Sequence, residues 1–162
     1  MARKFELVLS AWILLCVLPA AANNVAVSNV ALLSPGEGTV QVAFDLSWEN
    51  SWRTAVNHDA CWVFVKYCTE TDTNWHHATL SASGTNPAGF SKGSITNIDL
   101  IVPSDKKGCF IQRAVNGNGM LASTNVEFVW DLNADGVSQT NKERAQVFAV
   151  EMVFVPEGSF EL

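Results

Sequence analysis

The sequence has few charged residues and no basic cluster beyond its first four positions. Only 16% of its 162 residues are charged, with 10 Lys and Arg against 16 Asp and Glu and a formal net charge of −6. Nucleic acids and anionic membrane surfaces are bound through basic patches, so the composition argues against both kinds of partner.

Histidine is also scarce, and its placement argues against a transition-metal site. The sequence has three histidines, and two of them, His76 and His77, are neighbours in a segment predicted to be extended. Adjacent residues of a strand point to opposite faces of a sheet, so these two side chains cannot bind one zinc or copper ion together.

Helical periodicity is missing after the N-terminal segment, as are internal repeats and low-complexity tracts. The rest of the chain consists of roughly eight or nine short apolar segments separated by turn residues, a pattern typical of sandwiches and barrels. We therefore predict an all-β fold, a two-layer antiparallel β-sandwich of the immunoglobulin or fibronectin kind. A closed barrel is the alternative.

The most apolar of these segments covers residues 60–68. Its apolar residues occupy both odd and even positions and are interrupted only by Lys66. A short run of this kind is typical of a strand in the middle of a fold, so we predict a central strand that is covered on both faces. Residues 39–48 alternate instead and predict a strand with one buried face, followed by a polar connector at residues 49–59. Further strands are predicted at residues 24–34, 75–83, 94–102, 109–115, 120–122, 125–132 and 145–155. The tryptophans expected in the core are Trp48, Trp62 and Trp130.

The N-terminal residues have the pattern of a secretory signal peptide. Arg3 and Lys4 precede an apolar stretch at residues 7–18, and residues 20–22 are alanines that form a small-residue cleavage site. We predict a signal peptide at residues 1–22 and export to the periplasm, surface or exterior of a bacterial cell. The apolar stretch is too short to span a bilayer comfortably, so we expect no membrane span after cleavage; an uncleaved anchor is the alternative.

Three cysteines follow the predicted cleavage site, namely Cys61, Cys68 and Cys109. Exported proteins meet an oxidising compartment, where one disulfide is expected. Cys61 and Cys68 face opposite sides of their strand and cannot pair with each other. If the strand that begins near Gly108 runs antiparallel beside the central strand, a Cys68–Cys109 disulfide is favoured. A catalytic thiol is not expected, because no neighbour that would stabilise a thiolate is evident.

Residues 131–136 fit the opening of a calcium-binding loop. The motif D-x-N-x-D-G places oxygen ligands at alternate positions before a sharp glycine turn, here with Asp131, Asn133 and Asp135 as candidate ligands. The position of the closing glutamate is occupied by Lys142. Calcium is therefore the candidate cofactor, and the alternative is a polar strand end that runs into an Asp-Gly turn.

Two tryptophans lie in predicted loops or at strand edges rather than inside strands. These are Trp52 and Trp75. An exposed aromatic ring can stack on the apolar face of a sugar, so both residues are candidates for ligand contact. They support an alternative function, a carbohydrate- or surface-glycan-binding module.

Several segments of the chain together resemble a known family. They are residues 47–53 (SWENSWR), 59–67 (DACWVFVKY), 75–80 (WHHATL) and 147–160 (VFAVEMVFVPEGSF). They resemble the N-terminal half of secreted bacterial proteins with a formylglycine-generating-enzyme-like (sulfatase-modifying-factor) domain. The last segment looks like the opening strand and turn of that domain, which implies a β-sandwich domain at residues 23–150 and a truncated second domain at residues 151–162.

The same resemblance implies that this chain is not itself an enzyme. In that family the catalytic cysteines, metal ligands and substrate groove lie far downstream of the opening motif, and no cysteine here matches them. The expected function is a non-catalytic exported module with an interaction or positioning role, whose full-length parent would be a formylglycine-generating-enzyme-like oxidoreductase. Its expected partner is a downstream domain or another protein. Residues 147–155 are also expected to leave an apolar strand edge that favours self-association.

Overall fold

The computed structural model describes residues 23–33, 36–138 and 143–154, and within these ranges the chain is all-β. The predicted signal peptide at residues 1–22 lies outside the described residues, as do residues 155–162 of the predicted second domain. No helix in the described ranges is long and apolar enough to cross a membrane. The described residues form nine strands, which are β1 (Ala26–Leu32), β2 (Thr39–Arg53), β3 (His58–Thr69), β4 (His76–His77), β5 (Gly84–Thr85), β6 (Ile98–Val102), β7 (Cys109–Arg113), β8 (Gly117–Asp131) and β9 (Glu143–Phe154).

All strand pairs are antiparallel, and they join into one open sheet with β3 at its centre. The hydrogen-bonded path runs β1-β2-β3-β7-β6-β5, while β8 also pairs with β2, and β4 and β9 also pair with β3. One edge of β3 is bordered by β9 along its whole length, from His58 to Thr69. Its other edge is shared by β7 at Cys61–Val63 and by the short β4 further along. The segment predicted to be central is therefore the central strand.

One hydrophobic core is shared by two parts of this sheet. The β2 side chains Val42, Phe44, Leu46 and Trp48 are at most 2% exposed and belong to the same buried cluster as β3. The ring of Tyr67 in β3 lies 4.5 Å from that of Trp130 in β8, although these two strands are not paired. Side chains of β2 and β8 thus meet side chains of β3 across the core. Trp48 and Trp130 are fully buried, as predicted.

A buried carboxylate holds the irregular end of β2 against β3. Asp59 is 0% exposed and accepts hydrogen bonds from Trp48 Nε1 (3.0 Å), Ser51 Oγ (3.2 Å) and the Trp52 backbone N–H (3.0 Å). Arg113 donates to Ser51 Oγ at 3.0 Å from the other side. Because every one of these groups is hydrogen-bonded, the network stabilises the β-bulge of β2, where the register with β8 shifts between Trp48 and Ser51.

The chain between β3 and β5 differs from the prediction. A strand was expected at residues 75–83, but only His76–His77 pairs regularly, and Leu80 forms an isolated bridge to Trp130. The reason is that its backbone N–H groups donate to different parts of the chain. Those of residues 78, 80 and 81 reach Val65 O in β3, Lys106 O in the loop between β6 and β7, and Val129 O in β8. This segment therefore crosses from β3 to β8 rather than lying along one strand.

Two other strands are longer than predicted. Residues 49–59 are predicted to be a polar connector, but the first five of them belong to β2, which continues to Arg53. The short segments expected at residues 120–122 and 125–132 form the single strand β8, which shifts register opposite the bulge of β2. Asn50 supports this bulge with a φ of 54°, a left-handed conformation that asparagine tolerates better than most residues.

Candidate interaction site on the outer face of β3 and β9

The two faces of β3 have different environments. Its inward side chains Cys61, Val63, Val65 and Tyr67 are at most 7% exposed, whereas Trp62, Phe64 and Lys66 on the other side are only half-buried. Ala60 and Cys68 on that other side are buried, so the expectation that β3 is covered on both faces is wrong only for the middle of the outward face. Trp62, expected in the core, lies on this second face.

Strand β9 extends the same face with side chains that are still more exposed. Phe148 lies opposite Phe64, Val150 opposite Trp62, Met152 opposite Ala60 and Phe154 opposite His58. These four β9 side chains are 43–52% exposed. We call the surface made by the following residues the outer face: Ala60, Trp62, Phe64, Phe110, Phe148, Val150, Met152 and Phe154.

The aromatic rings of the outer face hold one another in place. The Phe64 ring stacks between those of Phe148 (5.4 Å) and His77 (5.2 Å). The Trp62 ring packs on Phe110 at 4.6 Å and lies over Gly108, where an added Cβ would come within 2.5 Å of the indole. Rings that are already fixed lose little side-chain entropy when a partner covers them, so this surface is preorganised for contact.

Two hollows interrupt the outer face, one near each end of β3. The first, of about 300 Å³, is lined mainly by aromatic and aliphatic side chains, with His58 and Gln112 as its polar members. The second, of about 400 Å³, lies between Phe64, Phe148 and Trp75, with Lys66 and Gln146 at its border. Both have space for a large side chain of a partner.

The outer face is nearly uncharged although the chain is acidic. The outward positions of β3 and β9 contain Lys66 and Arg144 but no Asp or Glu, because Glu143 and Glu151 occupy the opposite parity. Burial lowers the pKa of His58 below its ordinary value, and the nearby Arg53 lowers it further, so the neutral imidazole is favoured. A partner that covers β3 and β9 meets no outward carboxylate on these two strands, whereas Asp99 of β6 lies on the same side of the sheet, opposite Gln112, in an ion pair with Lys92.

The predicted disulfide is not formed. Cys61, Cys68 and Cys109 are all free and buried. The strand that contains Cys109 does run antiparallel to β3, as expected, but Cys109 lies opposite Val63. Cys68 is five positions further along β3, about 16 Å away at the rise of a strand. A disulfide requires Cα atoms within about 7 Å, so the register prevents this bridge.

The environments of two of these thiols suppress nucleophilic chemistry. Burial raises the pKa of Cys61 to about 12, and the carboxylates of Glu151 and Asp59 act in the same direction. Burial likewise raises the pKa of Cys109 to about 12. Only the thiolate is an effective nucleophile, so neither side chain is prepared for attack at neutral pH.

The candidate calcium ligands have structural roles in the loop after β8. Asp135 Oδ2 accepts hydrogen bonds from the Thr79 backbone N–H (2.8 Å) and Trp130 Nε1 (2.7 Å), while its Oδ1 accepts one from Thr79 Oγ1 (2.6 Å). Lys107 Nζ lies 3.8 Å from the same Oδ1. Both oxygens thus already have protein donors, and a cation here would have to displace Lys107.

The other two candidate ligands face their own loop. Asp131 Oδ1 accepts a hydrogen bond from the Ala134 backbone N–H at 3.0 Å, which closes a turn. The Asn133 side chain fills the space beside Gly38, where an added Cβ would lie 1.9 Å from its amide nitrogen. Among the residues that the structure describes, no group of three or more His, Cys, Asp or Glu side chains is arranged to hold a metal ion.

The two candidate glycan-contacting tryptophans lie far apart. Trp75 is 43% exposed and borders the second hollow. Trp52 is half-buried beside the turn where Arg53 pairs with His58, whereas His76 pairs with Tyr67 at the other end of β3. The nine positions of β3 from His58 to Tyr67 correspond to about 30 Å, so the two indoles do not form one stacking platform.

Most residues of the outer face were not singled out from the sequence. The signal was present in β9, where residues 148, 150, 152 and 154 are apolar at a period of two, but the intervening positions are also mostly apolar and conceal it. The boundary expected after Val150 falls inside β9, and residues 151–154 continue that strand beside β3. Comparison with family models, curated proteins and solved structures found no match for this chain.

Proposed function

We propose that this chain is a non-catalytic, exported β-sandwich module of the immunoglobulin or fibronectin kind that presents its outer face to a protein partner. The contact between Tyr67 and Trp130 supports the two-layer arrangement, because it joins unpaired strands across one core. The half-exposed β9 side chains are the observation that carries the interaction role.

The composition of the outer face suits contact with protein. Soluble monomers rarely expose contiguous apolar patches larger than a few hundred Å². Aromatic residues and methionine are enriched in protein–protein interfaces, while Glu, Asp and Lys are depleted there. The outer face has five aromatic rings and one methionine, and the outward positions of β3 and β9 have no carboxylate. This composition matches an interface better than a solvated surface.

The module is proposed to accompany a formylglycine-generating-enzyme-like domain and to position it. The support for this step is the resemblance of residues 147–160 to the opening of that domain. Phe154 is the last described residue of β9 and belongs to the outer face, so a domain built from the polypeptide that follows would be tethered beside this face.

Chemical footprinting of the two methionines tests the interaction role. Met152 lies on the outer face and is 47% exposed, while Met120 in β8 is 67% exposed and lies elsewhere. Brief oxidation of the natural, exported gene product should modify Met120 readily and Met152 slowly, because a partner covers the outer face. Modification of both methionines at rates that follow their exposure would refute the interaction role.

The sequence of the gene beyond codon 162 tests the proposal of an accompanying domain. An immediate stop codon would contradict that part of the proposal.

A second candidate function is carbohydrate binding at Trp75. This indole is exposed and lies beside Lys66 and Gln146, which can hydrogen-bond the hydroxyl groups of a sugar whose ring stacks on the indole. On a glycan array, a Trp75→Ala variant should then lose the binding that the wild type shows, and a Trp52→Ala variant should retain it. An array without signal for the wild type would reject this function.

A further inference from the structure

We propose that the partner of the outer face is a second copy of this chain, packed face to face around a two-fold axis. This inference rests on the proposed interaction role and adds the identity of the partner. In such a dimer the β3 and β9 strands of one copy cover those of the other, as the layers of a β-sandwich cover each other. Two modules would thereby hold two accompanying domains as a pair.

The charge distribution supports a second copy. A two-fold interface brings the same patch of both subunits together, so the patch must be compatible with itself. The chain has a net charge of −6, yet its outward positions on β3 and β9 have no carboxylate. Two acidic molecules can therefore meet through this face without burying like negative charges. Lys66 and Arg144 lie near one end of it, where they can remain solvated at the rim.

The area of the outer face is sufficient for a specific dimer. An aromatic side chain presents about 150–250 Å² when fully exposed. Four β9 side chains that are 43–52% exposed, together with the half-buried rings beside them, present an apolar patch on the order of 500–600 Å². Two such patches bury roughly 1,000–1,200 Å² in total, the lower end of the range for specific interfaces. A dimer that dissociates on dilution is expected.

The edge of β9 that does not pair with β3 is less suitable for contact with a second copy than the outer face. The sequence predicts an exposed apolar edge, but β1 lies beside that edge in the structure. The Asn23 side chain donates a hydrogen bond to Glu151, and a shared hollow lies between residues 30–32 of β1 and residues 143–146 of β9. Another chain that paired with the edge would have to displace β1, whereas the outer face is accessible without rearrangement.

Measurement of the molar mass in solution tests whether the partner of the outer face is a second copy of the chain. We would purify the exported chain and measure its molar mass by light scattering over roughly 1–100 µM, the range in which a small interface dissociates. The wild type should pass from monomer to dimer over this range. A Val150→Glu substitution places a carboxylate at the centre of the outer face and should shift the dissociation constant at least about tenfold upward. Val115→Glu is the matched control, because Val115 is 60% exposed in the turn before β8 and lies off the outer face.

The outcomes separate this inference from the proposed function. A wild type that remains a monomer at all concentrations overturns the second copy, and so does a dimer that Val150→Glu and Met152→Glu leave unchanged. If either variant loses its fold by circular dichroism, oxidation of Met152 in the wild type decides, since protection must increase with concentration in a dimer. If Met152 is protected in the natural gene product while that product is a monomer, the second copy is excluded and the interaction role stands.

Discussion

The two faces of β3 have similar hydrophobicity but opposite environments. The inward face contributes Val63 and Val65 to the core, where they are at most 1% exposed. The outward face contributes Trp62 and Phe64, which are larger and more apolar in area but remain half-buried. The hydrophobicity of a strand therefore does not reveal whether one of its faces packs in the core or remains accessible for contact with a partner. The two roles differ in what a substitution should change, namely the free energy of unfolding or the free energy of association.

The largest difference in the free energy of unfolding should appear when one phenylalanine is removed from the core and another from the outer face. Phe44 is 1% exposed and its ring packs edge-on against Phe128 at 5.0 Å. A Phe44→Ala substitution should lower the free energy of unfolding by about 3–5 kcal/mol, because it removes apolar contact and leaves a cavity. Phe148→Ala on the outer face should cost only about 1 kcal/mol in dilute solution. Urea unfolding measures both, and equal costs would mean that the outer face is part of the core.

The polar network beneath the bulge should show the next largest effect. Asp59→Asn keeps the shape of the side chain but replaces an acceptor oxygen by a donor amide opposite three donors. We expect a loss of about 2–3 kcal/mol in the free energy of unfolding, since hydrogen bonds to a buried charge are lost. Asp99→Asn is the control, because Asp99 forms a partly exposed ion pair with Lys92 and should cost at most about 1 kcal/mol. A tolerated Asp59→Asn would show that the network is dispensable.

A smaller effect should appear when the pH is lowered. The pKa of His58 is lowered in the folded chain, chiefly by burial and then by Arg53, whereas the unfolded residue titrates near 6.5. As the pH falls from 6.5 towards the folded pKa, the unfolded chain binds a proton that the folded chain does not, so the contribution of His58 to stability declines. Thermal unfolding at pH 7.5 and 5.5 should show a smaller decrease for His58→Gln than for the wild type. Identical decreases would exclude His58 as the cause.

The smallest effect is expected for the thiols of the inward face. With the pKa of Cys61 and of Cys109 at about 12, iodoacetamide at pH 8 should leave both unmodified in the folded chain. Both should react fully in urea, which mass spectrometry can quantify. Rapid modification of the folded chain would mean that the inward face opens frequently.

The comparison also explains which parts of the fold could be predicted. Alternation and turn residues sufficed to place β3 at the centre of the sheet and to locate β1, β6, β7 and β9 approximately. They could not distinguish a strand covered on both faces from one whose outer face is half-exposed, because both kinds of strand contain the same apolar residue types. The prediction that Trp62 lies in the core is wrong for this reason.

Other errors arose from register, which local sequence does not encode. The Cys68–Cys109 disulfide depended on where β7 meets β3, and that position is fixed by Cys109 lying opposite Val63. The segment at residues 75–83 has residues suited to a strand, but its backbone bonds to β3, to the loop between β6 and β7 and to β8 rather than along one strand. Tertiary contacts decided both cases. The calcium loop at residues 131–136 stays a prediction, although Asp135 is already hydrogen-bonded to its near neighbour Trp130 and to Thr79, which is distant in sequence.

The position of β9 along the chain has a consequence for biosynthesis. It is the last strand that the structure describes, yet it borders β3 from His58 to Thr69. While the ribosome is still translating β8, one side of the most apolar strand has no neighbour at all, and unpaired strands of this kind tend to aggregate. Until that final segment has been made, this edge of β3 lacks its hydrogen-bonded neighbour and is the part of the unfinished chain most prone to aggregate.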